Sequence, residues 1–212
     1  MTAEATTTSR VDRRKERTRT ALLRAARQLL AEGRMSVSIQ EITDAADVGF
    51  GSFYNHFESK EALFRAAVES TVEDWALLRD QIVEGYDDPA EVFAVSFRMA
   101  GRLQRQAPEL ARALLHSGLG VLTHDQGLAP RARRDIVAAT QVGRFDVEDP
   151  DIALMAAGGA LLGLLHWLDV QPGADEAALS DEMAQRVLRM FGLTKREAKR
   201  LCSRPLPPQP AL

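Results

Sequence analysis

The chain has 212 residues, 45% of them apolar, enough for one large domain or two small ones with a real core. Its single cysteine, Cys202, excludes an internal disulfide framework and any multi-cysteine metal site, and suits a reducing compartment such as the cytoplasm. The net charge of −3 is unevenly spread: eight arginines and lysines between Arg10 and Arg27 face Asp12 and Glu16, so this stretch carries +6 and the remainder −9, the asymmetry of an electrostatic contact with nucleic acid or of a solvated helix start.

Residues 1–9 have no apolar run that would make a secretory signal and are expected to be a disordered tail. The chain then reads as helix after helix, an all-α fold of nine to ten helices, with no stretch alternating apolar and polar residues over a strand's length. A first helix is expected over about 12–32. Leu22, Ala25, Ala26, Leu29 and Leu30 fall at helical spacing, and Gly33 follows as a stop. Ser38-Ile39-Gln40-Glu41 is a capping box that opens a second helix ending near Ala46. A third is expected from about Gly49 to His56 and a fourth from the cap Ser59 to about Glu84. Asp88-Pro89-Ala90-Glu91 places a cap, a first-turn proline and an acid at the head of a fifth, expected to reach Gln106. Pro108 starts a sixth, and 118–128 reads as a loop. Further helices are expected over 130–141, from Asp149-Pro150 to about Leu168, up to Phe191 before Gly192, and after the second capping box Thr194-Lys195-Arg196-Glu197. Residues 203–212 hold four prolines and read as an extended tail.

The stretch VGFGSFYNHF, 48–57, places two glycines beside four aromatics. Glycine costs a helix interior up to about 1 kcal/mol relative to alanine. A helix-turn-helix accounts for the pattern: Ile42, Ala46, Val48 and Phe53 form the small core between two crossing helices, and the second helix lies in the DNA major groove. Gly49 and Gly51 would let backbone amides approach phosphate or base edges. Phe50, Ser52, Tyr54 and Asn55 would be exposed, with Phe53 and Phe57 turned inward. Asparagine can pair bidentately with adenine and an apolar ring can meet a thymine methyl. Tyr54, His56 and Lys60 could reach phosphates. A ligand-free helical hairpin has the same spacing.

Residues 17–69 resemble the DNA-binding module of the tetracycline-repressor (TetR) family, on the string SIQEITDAADVGFGSFYNHFESKEALF preceded by ARQLLAEG. The resemblance implies a helix-turn-helix domain over 10–58 and a ligand-binding and dimerisation domain over 59–202. It implies phosphate contacts at Ser38, Tyr54, His56 and Lys60, and base-edge neighbours at Gln40, Phe50, Ser52 and Asn55. Three residues depart from the family pattern: Thr43 where alanine is usual, Asp47 where glycine is usual, and Gly49 where a serine or threonine cap is usual. Aspartate tolerates the left-handed turn conformation.

Residues 152–168, IALMAAGGALLGLLHWL, carry no formal charge but are shorter than the roughly 20 residues a membrane span needs, and acids flank them. They read as a helix buried on all sides, which a small domain achieves by pairing with a second subunit. Gly159 and Gly163 permit close approach, and Leu179, Met183, Val187 and Met190 supply a second stripe. The resemblance implies that these two helices pair with their copies in a homodimer that reads a near-palindromic double-stranded operator. It also implies a small-molecule effector pocket, for which Trp75, Phe93, Phe97, Met99, Leu103, Leu114, Phe145 and Trp167 are candidate walls, favouring a hydrophobic or aromatic effector.

No GxSxG elbow, phosphate-binding GxxxxGK[ST] loop or HExxH motif occurs, and the four histidines are scattered. The expectation is therefore a DNA-binding transcriptional regulator, a repressor released by a small ligand, with no enzymatic activity, cofactor or metal. The alternatives are a helical small-molecule-binding protein or enzyme with an incidental helix-turn-helix, and a regulator-like chain that only mediates protein contacts.

Overall fold

The computed structural model describes residues 10–208, and every regular element in that range is helical. The expected tail at 1–9 and the last four residues of the proline-rich tail lie outside the described residues. Eleven α-helices follow in order: α1 Arg10–Ala31, α2 Ile39–Ala45, α3 Phe50–Phe53, α4 Lys60–Val83, α5 Pro89–Gly101, α6 Leu103–Gln106, α7 Pro108–Ser117, α8 Leu128–Gln141, α9 Pro150–Val170, α10 Glu176–Met190 and α11 Lys195–Cys202. A 3₁₀ segment, Gly118–Thr123, stands between α7 and α8. The chain divides into two compact units within α4, between Val68 and Glu69.

The helix starts follow the local chemistry. Ser38 accepts the Glu41 amide at 3.2 Å while the Glu41 carboxylate takes the Ser38 amide at 2.9 Å, so two amides with no intrahelical partner are satisfied reciprocally. Thr194 and Glu197 repeat that box at α11. Asp88 caps α5 ahead of Pro89, and Asp149 caps α9 ahead of Pro150. At the end of α1, Gly33 takes φ +69° and the Arg34 amide returns to the Leu29 carbonyl at 2.8 Å.

Three boundaries differ from expectation. The fifth helix is broken at Arg102, whose amide bonds back to Met99 rather than a full α-turn; Gly101 just before it is packed so closely on Ser180 that a β-carbon would lie 2.7 Å from the hydroxyl. The expected loop after Ser117 begins as the 3₁₀ segment. The third helix keeps α-geometry only over Phe50–Phe53, after which Asn55 and His56 donate to the carbonyls of Ser52 and Phe53 in tight turns.

In the first unit Leu22, Ala25, Ala26 and Leu29 of α1 pack on Val37, Ile42, Ala46, Phe53, Phe57, Leu63, Phe64 and Ala67. Phe53 and Ile42 are fully buried, as the helix-turn-helix spacing requires. Burying a side chain of that size contributes roughly 1.5–3 kcal/mol. The second unit has a core of small residues and phenylalanines from α5, α8, α9, α10 and α11. Phe93, Phe145 and Phe191 meet there at centroid distances of 5.1–5.7 Å. Cys202 is buried in this core, which pushes its thiol up to about 11 and leaves it unreactive.

Candidate DNA-reading face and a charged hollow

The turn between α2 and α3 sets the direction of the candidate reading element. Asp47 has φ +53°; its amide bonds to Asp44 O at 3.1 Å and the next amide, Val48, to Thr43 O at 3.0 Å. This is the doubly bonded helix stop usually built on glycine, here made by an aspartate that the left-handed region admits. Thr43, in place of the family's alanine, is fully buried, and its hydroxyl donates to the Ile39 and Gln40 carbonyls. A buried hydroxyl is thereby satisfied within its own helix.

After that stop, α3 presents its residues outward. Phe50 is 47% exposed and Tyr54 56%, with their rings edge-on at 6.1 Å. Gln40, Gly49, Gly51 and Asn55 are exposed, Ser52 and His56 half-buried. Gly49 caps α3 with no side-chain bond, as the departure from a serine or threonine implies. A β-carbon at Gly51 would meet nothing within 4 Å, and one at Gly49 would meet Ser52 Oγ at 3.8 Å. Neither glycine has a positive φ. Packing inside the protomer therefore does not require them. His56 is held below its ordinary value by burial first, then by the positive charges of Lys15 and Arg19, so cations of α1 lie within electrostatic range of the end of α3. The Arg19 guanidinium sits 5.4 Å from the Phe57 ring centroid.

Two expected phosphate ligands have structural work as well. Ser38 is exposed, but its hydroxyl also donates to Glu41 Oε2 at 2.9 Å. Lys60 is half-buried and donates to the Val37 carbonyl at 3.0 Å, which ties the first turn of α4 to the residue before the cap of α2. An ammonium has three donors, so this bond still leaves capacity for a phosphate.

In the second unit, charges concentrate where α4 meets α8. Arg79 is 1% exposed; it donates to Ser96 Oγ at 2.6 Å, to Asp80 at 2.8 Å and to the buried Asp135. Arg131 donates to both oxygens of Glu73, at 2.8 and 3.0 Å, and to Asp80 at 2.6 Å. Arg134 reaches Asp80 at 3.0 Å from an exposed position. An open hollow of about 510 Å³ opens beside this network, lined by Arg79, Asp80, Gln81, Glu84, Arg134 and Asp135 with Val83 and Val92 as its apolar part. Burial pushes Asp135 up to about 6, against the pull of Arg79 and Arg134. Burial acts the same way on Asp80, but bonds from Arg131, Arg79 and Arg134 bring it below its ordinary value. The bonds from Arg131 lower Glu73.

None of the eight expected wall residues lines this hollow. Trp75, Phe93, Phe97, Met99, Leu103, Leu114 and Phe145 are buried, and Phe93, Phe97 and Phe145 belong to the second unit's packed core. Trp167 is 53% exposed, outside the packed cores. It falls instead on an outer stripe of α9 with Ile152, Met155, Gly159, Gly163 and Val170, all exposed and three or four residues apart. A β-carbon at Gly159 or Gly163 would meet nothing within 4 Å. On α10, Met190 is 57% exposed and Leu179 and Met183 are half-buried, but Val187 is 1% exposed in the protomer core and has no side chain left to offer a second subunit.

Residues 22–67 match the family model described as bacterial regulatory proteins of the tetR family, and residues 88–204 match the tetracyclin repressor-like C-terminal domain. The chain belongs to the TetR family. It is 27% identical over 192 residues to the probable acrEF/envCD operon repressor of Escherichia coli K12, covering 82% of this chain and 87% of that one. The crystal structure of RolR in complex with resorcinol aligns with a TM-score of 0.79 and 37% identity over 92% of this chain and 98% of RolR. RolR without ligand aligns with a TM-score of 0.76 and 34% identity over 89% and 98%. This TetR-family chain is a DNA-binding transcriptional regulator, of a family that is not an enzyme family. The charged residues at the hollow were missed in the sequence. The one signal there was the spacing of Arg131, Arg134 and Asp135, which puts them on one face of α8.

Proposed function

We propose that the protein is a homodimeric repressor that reads a near-palindromic operator through α3 and releases it when a small hydroxylated aromatic compound binds at the α4–α8 hollow. The observation that carries the DNA half is the pair of glycines and exposed aromatics on α3, which nothing inside the protomer demands. In this reading Tyr54, His56, Lys60 and Ser38 contact phosphates, and Gln40, Phe50, Ser52 and Asn55 approach base edges. Asn55→Ala should relax selectivity at one base position by ~1–3 kcal/mol.

The polar hollow supports an effector that adds hydrogen-bonding groups to the hydrophobic or aromatic character expected from the sequence. Carboxylates at Asp80 and Asp135 accept hydroxyl protons, Arg134 donates to a phenolic oxygen, and Val83 and Val92 suit a ring. RolR, whose crystal complex holds resorcinol, supports the same chemistry. Release follows if the ligand competes for charges that hold α4, since α4 is one continuous helix from Lys60 to Val83. By linkage the ligand must then favour the conformation that does not bind DNA. The outer stripe of α9 supports the dimer.

The test is selection of bound fragments from random DNA, followed by release of the selected duplex with resorcinol. Selective retention, and release at ligand concentrations where calorimetry registers binding, support the proposal. Recovery of unrelated fragments without a shared motif would remove the regulatory reading.

A further inference from the structure

The segment between α7 and α8 has an unusual backbone at both ends. It is bracketed by Gly118, at φ +58° and ψ −147°, and Gly127, at φ +85° and ψ −142°. Both lie near a backbone region that is essentially closed to any residue with a β-carbon. At Gly118 the requirement is conformational alone, because an added β-carbon would touch nothing within 4 Å. Between the hinges, the 3₁₀ segment Gly118–Thr123 has no buried residue, and Leu119 is 68% exposed. Six residues is long for a 3₁₀ run, whose hydrogen bonds are poorly aligned. Low side-chain burial is one mark of a segment that opens locally.

The 3₁₀ segment touches α7, α8 and α9, Val72 lies against Gly127, and the closest grips are at the two ends. Leu122 lies over Gly158 of α9 so closely that a β-carbon there would collide with it. At the other end the hinge peptide itself is gripped. The Gly127 amide donates to Glu73 at 2.6 Å, and the Gly127 carbonyl accepts from Arg131 at 2.9 Å. Glu73 and Arg131 are themselves bonded at two points, and Arg131 reaches on to Asp80 at the rim of the hollow.

We propose that residues 118–127 form a hinged strap that Glu73 latches shut through the Gly127 amide, and that a ligand engaging Asp80 releases or tightens the latch through Arg131. The second half rests on the effector reading above. Glu73 is thus a positioning residue: it touches no ligand in the hollow but fixes both Arg131 and the hinge. The strap is a two-position element of the kind a coupling needs, and its opening lifts Leu122 off α9.

Hydrogen exchange read by mass spectrometry on the full-length protein tests the latch without any ligand. Glu73→Ala and Gly118→Ala, at opposite ends of the strap, should each raise exchange across 119–126 at least ten-fold while α5 and α10 stay protected. Glu73→Gln, which keeps an acceptor, should restore part of the protection. Unchanged strap exchange in Glu73→Ala, or faster exchange confined to the residues beside each substitution, would overturn the proposal. Resorcinol added to the wild type then separates the two readings. Binding seen by calorimetry with altered strap exchange supports the coupling, and binding with unaltered exchange overturns it. Absence of calorimetric binding counts against the effector class, and the ligand-free variants decide the latch.

Discussion

Gly51 shows most plainly that a residue can be chosen for something outside its own protomer. It sits in a helical turn with open space where its β-carbon would go, so alanine should fit the folded chain and reduce the entropy of the unfolded one. Gly51→Ala is expected to raise stability by ~0.5–1 kcal/mol in denaturant titrations while weakening operator binding in the same preparation. A loss of both together would mean that the glycine serves the fold. Asp135 behaves in the opposite sense, as a residue the fold tolerates at a cost. Its carboxyl titrates near 6 when folded, above the ordinary value of 3.8. The folded state therefore binds the proton more tightly than the unfolded state. The stability due to this group is present below about pH 4 and is lost as pH rises through about 6, a span worth up to ~2–3 kcal/mol. The stability difference between wild type and Asp135→Asn, followed from pH 4 to 7, should move against the wild type by about that amount. A difference constant with pH would contradict the burial argument.

At the scale of elements, the bond from Lys60 to the Val37 carbonyl joins the start of α4 to the residue before the cap of α2. Lys60→Met should cost about 1 kcal/mol of stability by leaving that carbonyl without its donor, as well as weakening DNA binding. The binding loss is to be read against melting measured on the same sample, and an unchanged melting temperature would show the bond to be incidental. The reading element was legible in the sequence because it is made of local rules. The capping box at Ser38, the stop at Asp47 and the inward spacing of Ile42, Ala46 and Phe53 each act within a few residues. The hollow was not legible, because Arg79 meets Asp135 across 56 residues and Arg131 meets Glu73 across 58. In sequence, arginines and acids on a helix look like a solvated face. The phenylalanines read as candidate pocket walls show the same limit: their spacing places them inward, where Phe93, Phe97 and Phe145 join the packed core, and whether inward means cavity or core depends on partners far along the chain.

At the scale of the molecule, α9 has two apolar faces. Leu154, Ala157, Leu164, Leu165 and Leu168 are buried in the protomer, while Ile152, Met155, Trp167 and Val170 stand exposed on the other side. It is the one helix among the described residues long and apolar enough to cross a membrane, yet a third of its apolar window is already buried within the chain. A patch of exposed large apolar side chains with two glycines between them is the pattern of a surface awaiting a second subunit. Gly163 is exposed and a β-carbon there meets nothing within 4 Å, so the fold should survive Gly163→Arg. Light scattering should then give a particle near the 23.3 kDa chain mass, and operator affinity should fall by more than ten-fold. A dimer that persists with unchanged affinity would place the interface elsewhere. The account as a whole depends on α3 reading a duplex. Its most direct test is fluorescence anisotropy of the selected operator and a scrambled duplex of equal length, for the wild type and for Tyr54→Ala. The wild type should prefer the operator by about a thousand-fold or more at physiological salt, and Tyr54→Ala should bind both duplexes more weakly with its melting temperature unchanged. Equal wild-type affinity for the two duplexes would contradict it.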